Sequence, residues 1–451
     1  MGKALLSVGL DVGTTSTQMI LSRLTAENKA SGFAVPQMQI TKREILYRSP
    51  VYFTPLSAHD LVDGQALREL IETEYRSAGI TRQQVDTGAV IITGETSRKE
   101  NAKTVLESLS DFAGDFVVAT AGPDLESILA ARGAGALERS EDGPVLHMDI
   151  GGGTSNLCLC ENGKVVATGC LNVGGRLLKF DETGMVTYRS PVLEGLTDLK
   201  PGDVPKDGQV EAICKILTCA LEMAAGLREP TDLLPKLTTK ETGKAWIPPK
   251  GAKISFSGGV ADCIAQEFLP LRFGDMGPFL GSCIRRSRLC QGEYFLGQET
   301  IRATVVGAGC HSVALSGSTV FYQNLSFPLK NLTVAVIENP RTPREVTNAL
   351  QTLDGEGILA IPGLCSPSYA QVVELAEILA EGFGDLPVRV CLQQDMAKAL
   401  GYALQRYLPQ GRSCLCIDSL VLTPGSYLDV GAPVGPAFPV VIKSLVFGGS
   451  Q

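Results

Sequence analysis

Two short turns in this chain share one plan. They read Asp11-Val-Gly-Thr-Thr-Ser-Thr and Asp149-Ile-Gly-Gly-Gly-Thr-Ser-Asn, and each follows an apolar run. Gly13, Gly151, Gly152 and Gly153 let backbone N–H groups come close to an anion, and the hydroxyls of Thr14, Thr15, Ser16, Thr154 and Ser155 add donors. The leading aspartate of each turn is suited to a hydrated divalent cation. Two such turns facing each other would clamp a polyphosphate. A bare carboxylate about 4 Å from a phosphate is repelled by several kcal/mol at intermediate dielectric. Asp11 and Asp149 therefore imply Mg²⁺ between them, held largely through its own water shell.

One glycine-rich turn alone is more often a tight turn without a ligand. A third element changes the weight: Ser257-Gly258-Gly259 follows a short apolar run and precedes helical spacing, where two missing Cβ atoms would let a flat nucleoside lie on the backbone. No Gly-x-x-x-x-Gly-Lys-Ser/Thr stretch occurs, so the phosphate chemistry is not that of a P-loop. Gly307-Ala-Gly309 lacks the third glycine of a dinucleotide fingerprint and reads as a tight turn after a strand.

The elements that must position these turns follow from periodicity. Leu5–Leu10 and Thr17–Leu21 read as a hairpin around the first turn. Leu46–Phe53 reads as a strand, Gly64–Ala78 as a helix, Ala89–Thr93 as a strand and Lys99–Ala113 as a helix. Phe116–Ala119 is a further strand and Asp124–Arg132 a further helix. Val145 opens a second cycle of strand, acidic glycine turn, strand, Glu-Asn-Gly hairpin and strand. Residues 194–250 are richer in Pro, Lys, Thr and Asp and are expected to form an inserted, more exposed subdomain, with helical spacing over Val210–Leu227. Beyond residue 330, strands (Leu332–Ile337, Ile358–Ile361, Val388–Leu392) alternate with helical segments (343–352, 367–382, 395–408), the mark of βαβ units. The expectation is an α/β protein with a first lobe over 1–140, a second over 141–325 and a C-terminal α/β domain over 326–451.

Composition limits the function. The chain has 451 residues and a formal net charge of −8, which leaves no cationic excess for tracking nucleic acid. The charge-free stretch from Ala303 to Leu329 carries His311, Gln323, Asn324 and several serines, so it is not expected to cross a membrane. The 13 cysteines include no C-x-x-C pair and read as reduced core thiols, with Cys158/Cys160 and Cys414/Cys416 each on one strand face. No targeting segment is evident, and a cytoplasmic protein is expected. Of the three histidines, His59, His147 and His311, His147 reads as a satisfied structural group near Asp149. Arg285, Arg286 and Arg288 read as a solvated helix face, the alternative being contact with a phosphate, a ribose or an acidic partner.

The order of the three glycine elements, about a domain apart, resembles the actin, Hsp70 and sugar-kinase ATPase superfamily. That likeness implies a two-lobed, ribonuclease H-like ATPase fold binding ATP and Mg²⁺ in the cleft. IITGETSRKEN (91–101), ATAGPDLESILAARGAGA (119–136) and the C-terminal PGSYLDVGAPV and PVVIKSLVF resemble, more closely, the ethanolamine ammonia-lyase reactivating factors. The resemblance spans nearly the whole chain. It implies a chaperone-like ATPase of ethanolamine utilisation that releases damaged cobalamin from the lyase so that adenosylcobalamin can bind. Its partner would be the lyase; a homodimer is allowed, and the ethanolamine microcompartment is a conceivable setting. In the superfamily, a helix between the lobes carries a Gln or Glu that orients the attacking water, nine positions before a glycine. Glu126 stands nine before Gly135, giving the catalytic set Glu126, Asp11 and Asp149. By position alone Glu126 reads first as a helix-start acid, an order that the family resemblance reverses, and Glu95 is the other acid to consider. The competing functions are a small-molecule kinase on the same fold and a nucleotide-binding scaffold without turnover. The segment beyond residue 330 has no counterpart in actin or Hsp70.

Overall fold

The computed structural model describes residues 3–13, 16–28, 38–57, 61–93, 109, 117–120, 123–239, 246–311, 313–316, 320–353, 356–422, 426–433 and 437–444. The helix expected over 99–113 lies outside these residues except for Leu109.

Strands β1 (Lys3–Val12), β2 (Ser16–Asn28), β3 (Met38–Arg48), β4 (Tyr52–Phe53), β5 (Thr87–Ile92) and β6 (Val117–Thr120) form one sheet. Its order is β3-β2-β1-β5-β6, with β4 pairing β2; the β1–β2–β3 meander is antiparallel and β5 and β6 add in parallel. The single strand expected over 46–53 is broken after Arg48. Pro50 has no N–H for a ladder, and Ser49 turns its hydroxyl to accept the Met19 N–H at 2.8 Å. Helix Gly64–Ser77 starts because Asp63 accepts the N–H groups of Gln65 and Ala66, each at 3.0 Å. It buries Leu67, Ile71 and Tyr75 against Val8, Leu10 and Val12 on one face of the sheet.

β7 (Val145–Ile150), β8 (Ser155–Glu161), β9 (Lys164–Leu171), β12 (Lys253–Ser257) and β13 (Tyr294–Leu296) form a second sheet in the order β9-β8-β7-β12-β13. It repeats the first: an antiparallel meander, then two parallel strands on the far side of the opening strand. β10 (Leu178–Phe180) and β11 (Val186–Arg189) make a separate antiparallel pair. Within 194–250 the flanking loops are largely exposed, as the composition suggests, but the central helix is not. Helix Gln209–Ala224 buries Ile213, Leu217 and Leu221 in one cluster with Ile150 and Phe256 of the second sheet. The polar residues that coloured the composition lie in the loops flanking that helix.

Helix Pro123–Gly133 joins the two sheets. Leu129 packs with Leu5 and Ile91 of the first, while Ala131 packs with Val145 and Cys158 of the second. Helix Ala303–Val306 lies beside it, and Val305 and Val306 fill the core of the first sheet. Gly307-Ala-Gly309 is neither preceded by a strand nor a tight turn: Gly307–His311 continue that helix as a π-helical turn. The wide turn is tolerated because a Cβ at Gly307 would strike the Leu129 carbonyl, and Gly309 lies against Gly9 of β1.

The third sheet has eight strands: β14 (Val313–Leu315), β15 (Phe321–Gln323), β16 (Leu329–Val336), β17 (Gly357–Ile361), β18 (Val388–Leu392), β19 (Cys414–Ile417), β20 (Ser426–Val430) and β21 (Pro439–Ser444). β16 to β19 run parallel in sequence order, with crossover helices Pro343–Leu350, Tyr369–Phe383 and Ala397–Leu404. The thiols of Cys158, Cys160, Cys414 and Cys416 are buried in their strands, and all thirteen cysteines are unbridged. Among the described residues, no helix is long and apolar enough to cross a membrane.

The close approach at Gly307 is testable. Gly307→Ala should destabilise the fold by about 1–3 kcal/mol through overpacking. Gly292→Ala, at a glycine whose added Cβ would meet nothing within 4 Å, should change it by less than about 0.5 kcal/mol. Urea unfolding of both variants reads the difference, and equal midpoints would contradict the packing.

Candidate functional site

Each opening hairpin is closed by the same bond. Gly13 N–H donates to Ser16 O at 2.9 Å, and Gly151 N–H donates to Thr154 O at 2.9 Å. Ahead of each turn stands its aspartate, with an amide directly across the antiparallel ladder: Asp11 opposite Gln18, Asp149 opposite Asn156. The parallel neighbour then supplies a hydroxyl. Thr93 Oγ1, just past β5, donates to Asp11 Oδ1 at 3.0 Å, and Ser257 Oγ, ending β12, donates to Asp149 Oδ1 at 2.5 Å. Turn, carboxylate, amide and hydroxyl thus occur twice. Of the expected donors, Ser16 and Thr154 are half-buried, while Ser155 is fully buried and turned inward, donating to Val173 O at 2.7 Å. Thr14, Thr15, Glu95 and His59 lie outside the described residues.

The two units face each other across the 303–306 helix. Its Thr304 Oγ1 reaches Asp149 Oδ2 at 3.5 Å, while a Cβ on Gly9, two residues before Asp11, would stand 2.6 Å from Val305 O. Both carboxylates are buried, at 8% and 6% exposure. Burial raises Asp149 to about 6 against the Ser257 and Thr304 hydroxyls. Burial raises Asp11 to about 7 against Thr93 and Gln18, with the charge of Asp149 adding to the rise. The order is physical: the first carboxyl to ionise meets a neutral neighbour and the second meets a charged one.

A buried pair of like charges needs a cation to remain ionised together. The surroundings fit a hard one. Gln18 Oε1 and Asn156 Oδ1 are buried without a hydrogen-bond partner, so oxygen acceptors stand beside both carboxylates. Among the described residues, no group of three or more His, Cys, Asp or Glu side chains assembles. Two carboxylates with amide oxygens suit Mg²⁺ that keeps much of its water, rather than a closed zinc cage.

The second turn is buttressed by backbone. Gly258 has φ +85°, and its Cβ would strike Ile150 O, so only glycine brings the 258–259 junction against the 149–155 turn. Gly259 then opens helix Gly259–Ala265. On the other flank, a Cβ at Gly174 would strike Gly152 O, Gly175 N–H donates to Gly151 O at 3.0 Å and Arg176 N–H donates to Gly152 O at 2.6 Å. Glu126 is half-buried on the first turn of the inter-sheet helix. There Asp124 accepts the Thr168 hydroxyl at 2.6 Å and Ser127 reaches Gly169 O at 3.4 Å, which ties the helix start to β9.

His147 lies fully buried between Ser255 Oγ (Nδ1, 2.9 Å) and Ser257 Oγ (Nε2, 2.9 Å), with burial lowering it to about 3. It supports the Ser257–Asp149 contact. The expected solvated arginine face is corrected at Arg285, which donates to Ile264 O at 2.7 Å and Cys263 O at 2.8 Å and so covers the open carbonyls of the 259–265 helix. Arg286 pairs with Glu211 at 3.2 Å, and Arg288 donates to Leu227 O at 2.9 Å. Sequence reasoning missed Gln18, Asn156, Thr93, Thr304 and the 174–176 turn as site residues. Superposing the two repeats by hand would have exposed the paired amides, seven residues after each aspartate.

A pH dependence follows for metal-free protein. The unfolded chain releases these two protons near the ordinary carboxyl value of 3.8, whereas the fold retains them to about 6 and about 7. The folded state therefore binds more protons in that window, and stability falls as pH rises from about 4 to about 7. Asp11→Asn should flatten this fall and stabilise the chelator-treated protein at pH 8 by about 1–3 kcal/mol. Urea unfolding from pH 5 to 8 measures it; identical slopes in both proteins would refute the buried pair.

A family model described as ethanolamine utilisation protein EutA matches residues 3–448. The ethanolamine ammonia-lyase reactivase EutA of Salmonella typhimurium is 39% identical over 99% of both chains, and that of Escherichia coli K12 is 38% identical over 99% of both. Among solved structures, a Ppx/GppA family member from Aquifex aeolicus is 12% identical with a TM-score of 0.41, covering 68% of this chain and 97% of that one. The ethanolamine utilisation protein EutJ of Carboxydothermus hydrogenoformans is 16% identical with a TM-score of 0.34, covering 67% and 88%. The strand order of the first sheet is repeated in the second, which gives the expected two-lobed α/β fold with an additional mixed sheet. With a family model spanning nearly every residue and full-length relatives above a third identical, the chain belongs to the ethanolamine utilisation protein EutA family.

Proposed function

We propose that this chain is an ATP- and Mg²⁺-dependent ATPase that reactivates ethanolamine ammonia-lyase by driving release of damaged cobalamin in exchange for adenosylcobalamin. One observation carries the ATPase part: the duplicated unit in which Asp11 and Asp149, both buried and both raised, meet beside glycine turns. The partner is suggested by the names of the Salmonella and Escherichia relatives. The proposed setting is the cytoplasm, with the lyase and its microcompartment.

In this reading Gly13 and Gly151 close the turns through their own N–H bonds, and the N–H groups of Gly152 and Gly153, with the hydroxyls of Thr14, Thr15, Ser16 and Thr154, receive the phosphates. Bound Mg²⁺ supplies positive charge that offsets the phosphate oxygens. Asp11 and Asp149 orient its water shell from opposite lobes, and the bare surface of Gly258 and Gly259 admits the nucleoside. Glu126 accepts a hydrogen bond from the attacking water and aligns it with the terminal phosphate. Because the two turns sit on different sheets, losing that phosphate alters how strongly each lobe is held and shifts the lobe-angle equilibrium. Such a shift can loosen the lyase only as far as one nucleotide state binds it more tightly.

The deciding experiment incubates cyanocobalamin-blocked lyase with this protein, adenosylcobalamin and Mg-ATP. Activity should return, and should not return without ATP. Phosphate appearing on a small molecule would favour the kinase reading, and nucleotide binding without phosphate release would favour the scaffold. Glu126→Ala should slow hydrolysis by about a hundredfold or more while leaving nucleotide affinity within about threefold, since it acts on water and not on phosphate. A collapse of binding with normal turnover of the residual bound nucleotide would make Glu126 structural.

A further inference from the structure

The two phosphate-type turns are alike in backbone but not in what backs them. Behind Gly13 stands a neutral group: Thr54 Oγ1 donates to Gly13 O at 2.7 Å and meets Thr17 Oγ1 at 3.1 Å. Behind Gly152 stands Arg176. Its Cδ would lie 3.2 Å, and its Cβ and Cγ 3.5 Å, from a Cβ at Gly152, so the aliphatic stem runs along the glycine turn. Two backbone bonds, from Gly175 N–H to Gly151 O and from Arg176 N–H to Gly152 O, fix where that stem starts.

The guanidinium is fixed as well. Arg176 Nε pairs with Asp275 Oδ2 at 3.2 Å, while Asp275 Oδ1 takes the Gly277 N–H at 2.9 Å at the start of helix Gly277–Arg285. Asp275 is 8% exposed at its side chain and Arg176 is 30% exposed. Among the described residues, Asp275 is the one acceptor of this guanidinium, and it uses Nε. Neither Nη group is among the buried atoms that lack a partner, so with the side chain 30% exposed both are left accessible. A planar cation anchored through one edge and open at the other matches the fork that takes two oxygens of a phosphate.

We infer that Arg176 is a phosphate-contacting residue of the second turn, held by Asp275, and that it takes an oxygen pair of the nucleotide's phosphate chain. The inference deepens the proposed ATPase and rests on the 149–155 turn binding phosphate. It gives the second lobe a fixed cation, so that lobe grips the phosphate chain through charge, whereas among the described residues the group behind the first turn is neutral. Asp275 is then a positioning residue, which removes the rotamer freedom an exposed arginine would lose on binding.

The test measures equilibrium binding of a non-hydrolysable ATP analogue with Mg²⁺, and of adenosine, to the full-length protein by calorimetry. Arg176→Gln keeps a stem over Gly152 but removes the charge. It should weaken the analogue roughly ten- to a hundredfold, the worth of hydrogen bonds to a charged group, and leave adenosine unchanged. Arg176→Lys should recover only part of the loss. Asp275→Asn should weaken the analogue less than Arg176→Gln and add nothing in the double variant. If Arg176→Gln binds the analogue as the wild type does, the inference fails while the ATPase reading stands. A wild type that binds neither compound overturns that reading and the inference together. Equal losses for adenosine and analogue would show Arg176 to be a packing residue and also overturn it.

Discussion

The arrangement depends on two like-charged carboxylates held out of water at the meeting of two sheets. Asp11 and Asp149 are each nearly inaccessible, and each is raised well above the ordinary carboxyl value. A fold would not retain such a pair for stability, because burial disfavours both charges and the second ionisation is opposed by the first. Hydroxyls of Thr93 and Ser257 offset only part of that cost. In the proposed reading the arrangement makes sense as a receptor for positive charge, because a bound cation would relieve the repulsion between the two groups.

Glycine is what lets the elements converge. Gly9 admits the Val305 carbonyl, Gly307 admits Leu129, Gly258 admits Ile150 and Gly174 admits Gly152. These contacts are backbone against backbone, where any side chain would hold the sheets or turns apart. The helix at 123–133 and the helical turn at 303–306 are thereby seated between the lobes, and the latter, packed in the core of the first sheet, reaches Asp149 of the second through Thr304.

Much of this was legible from residues alone. The hairpins around the acidic turns, the repeat of the device and the βαβ alternation of the last third follow from local periodicity and turn chemistry, which do not depend on distant contacts. Two things did not show. The stretch at 194–250 looked exposed because loop composition masked the apolar face of Gln209–Ala224, whose partners are strands far away in sequence. Gly307-Ala-Gly309 looked like a turn because its π-helical geometry exists only where Gly9 and Leu129 are packed against it. The site followed the same rule: aspartates and glycines were visible as motifs, whereas Gln18, Asn156 and Arg176 acquire meaning only across a ladder or a turn. The family likeness stated from the sequence agrees with the full-length match to the EutA model.

The most direct measurement of the central claim is a double-mutant cycle on cation binding. Mn²⁺, a magnetic stand-in for Mg²⁺, would be titrated by electron paramagnetic resonance into the nucleotide-loaded protein and into Asp11→Asn, Asp149→Asn and the double variant. One shared ion predicts that either substitution removes most of the affinity and that the second removes much less than it does alone. Strictly additive losses would mean that the two carboxylates serve separate ions, and the account of one bridging cation would be wrong.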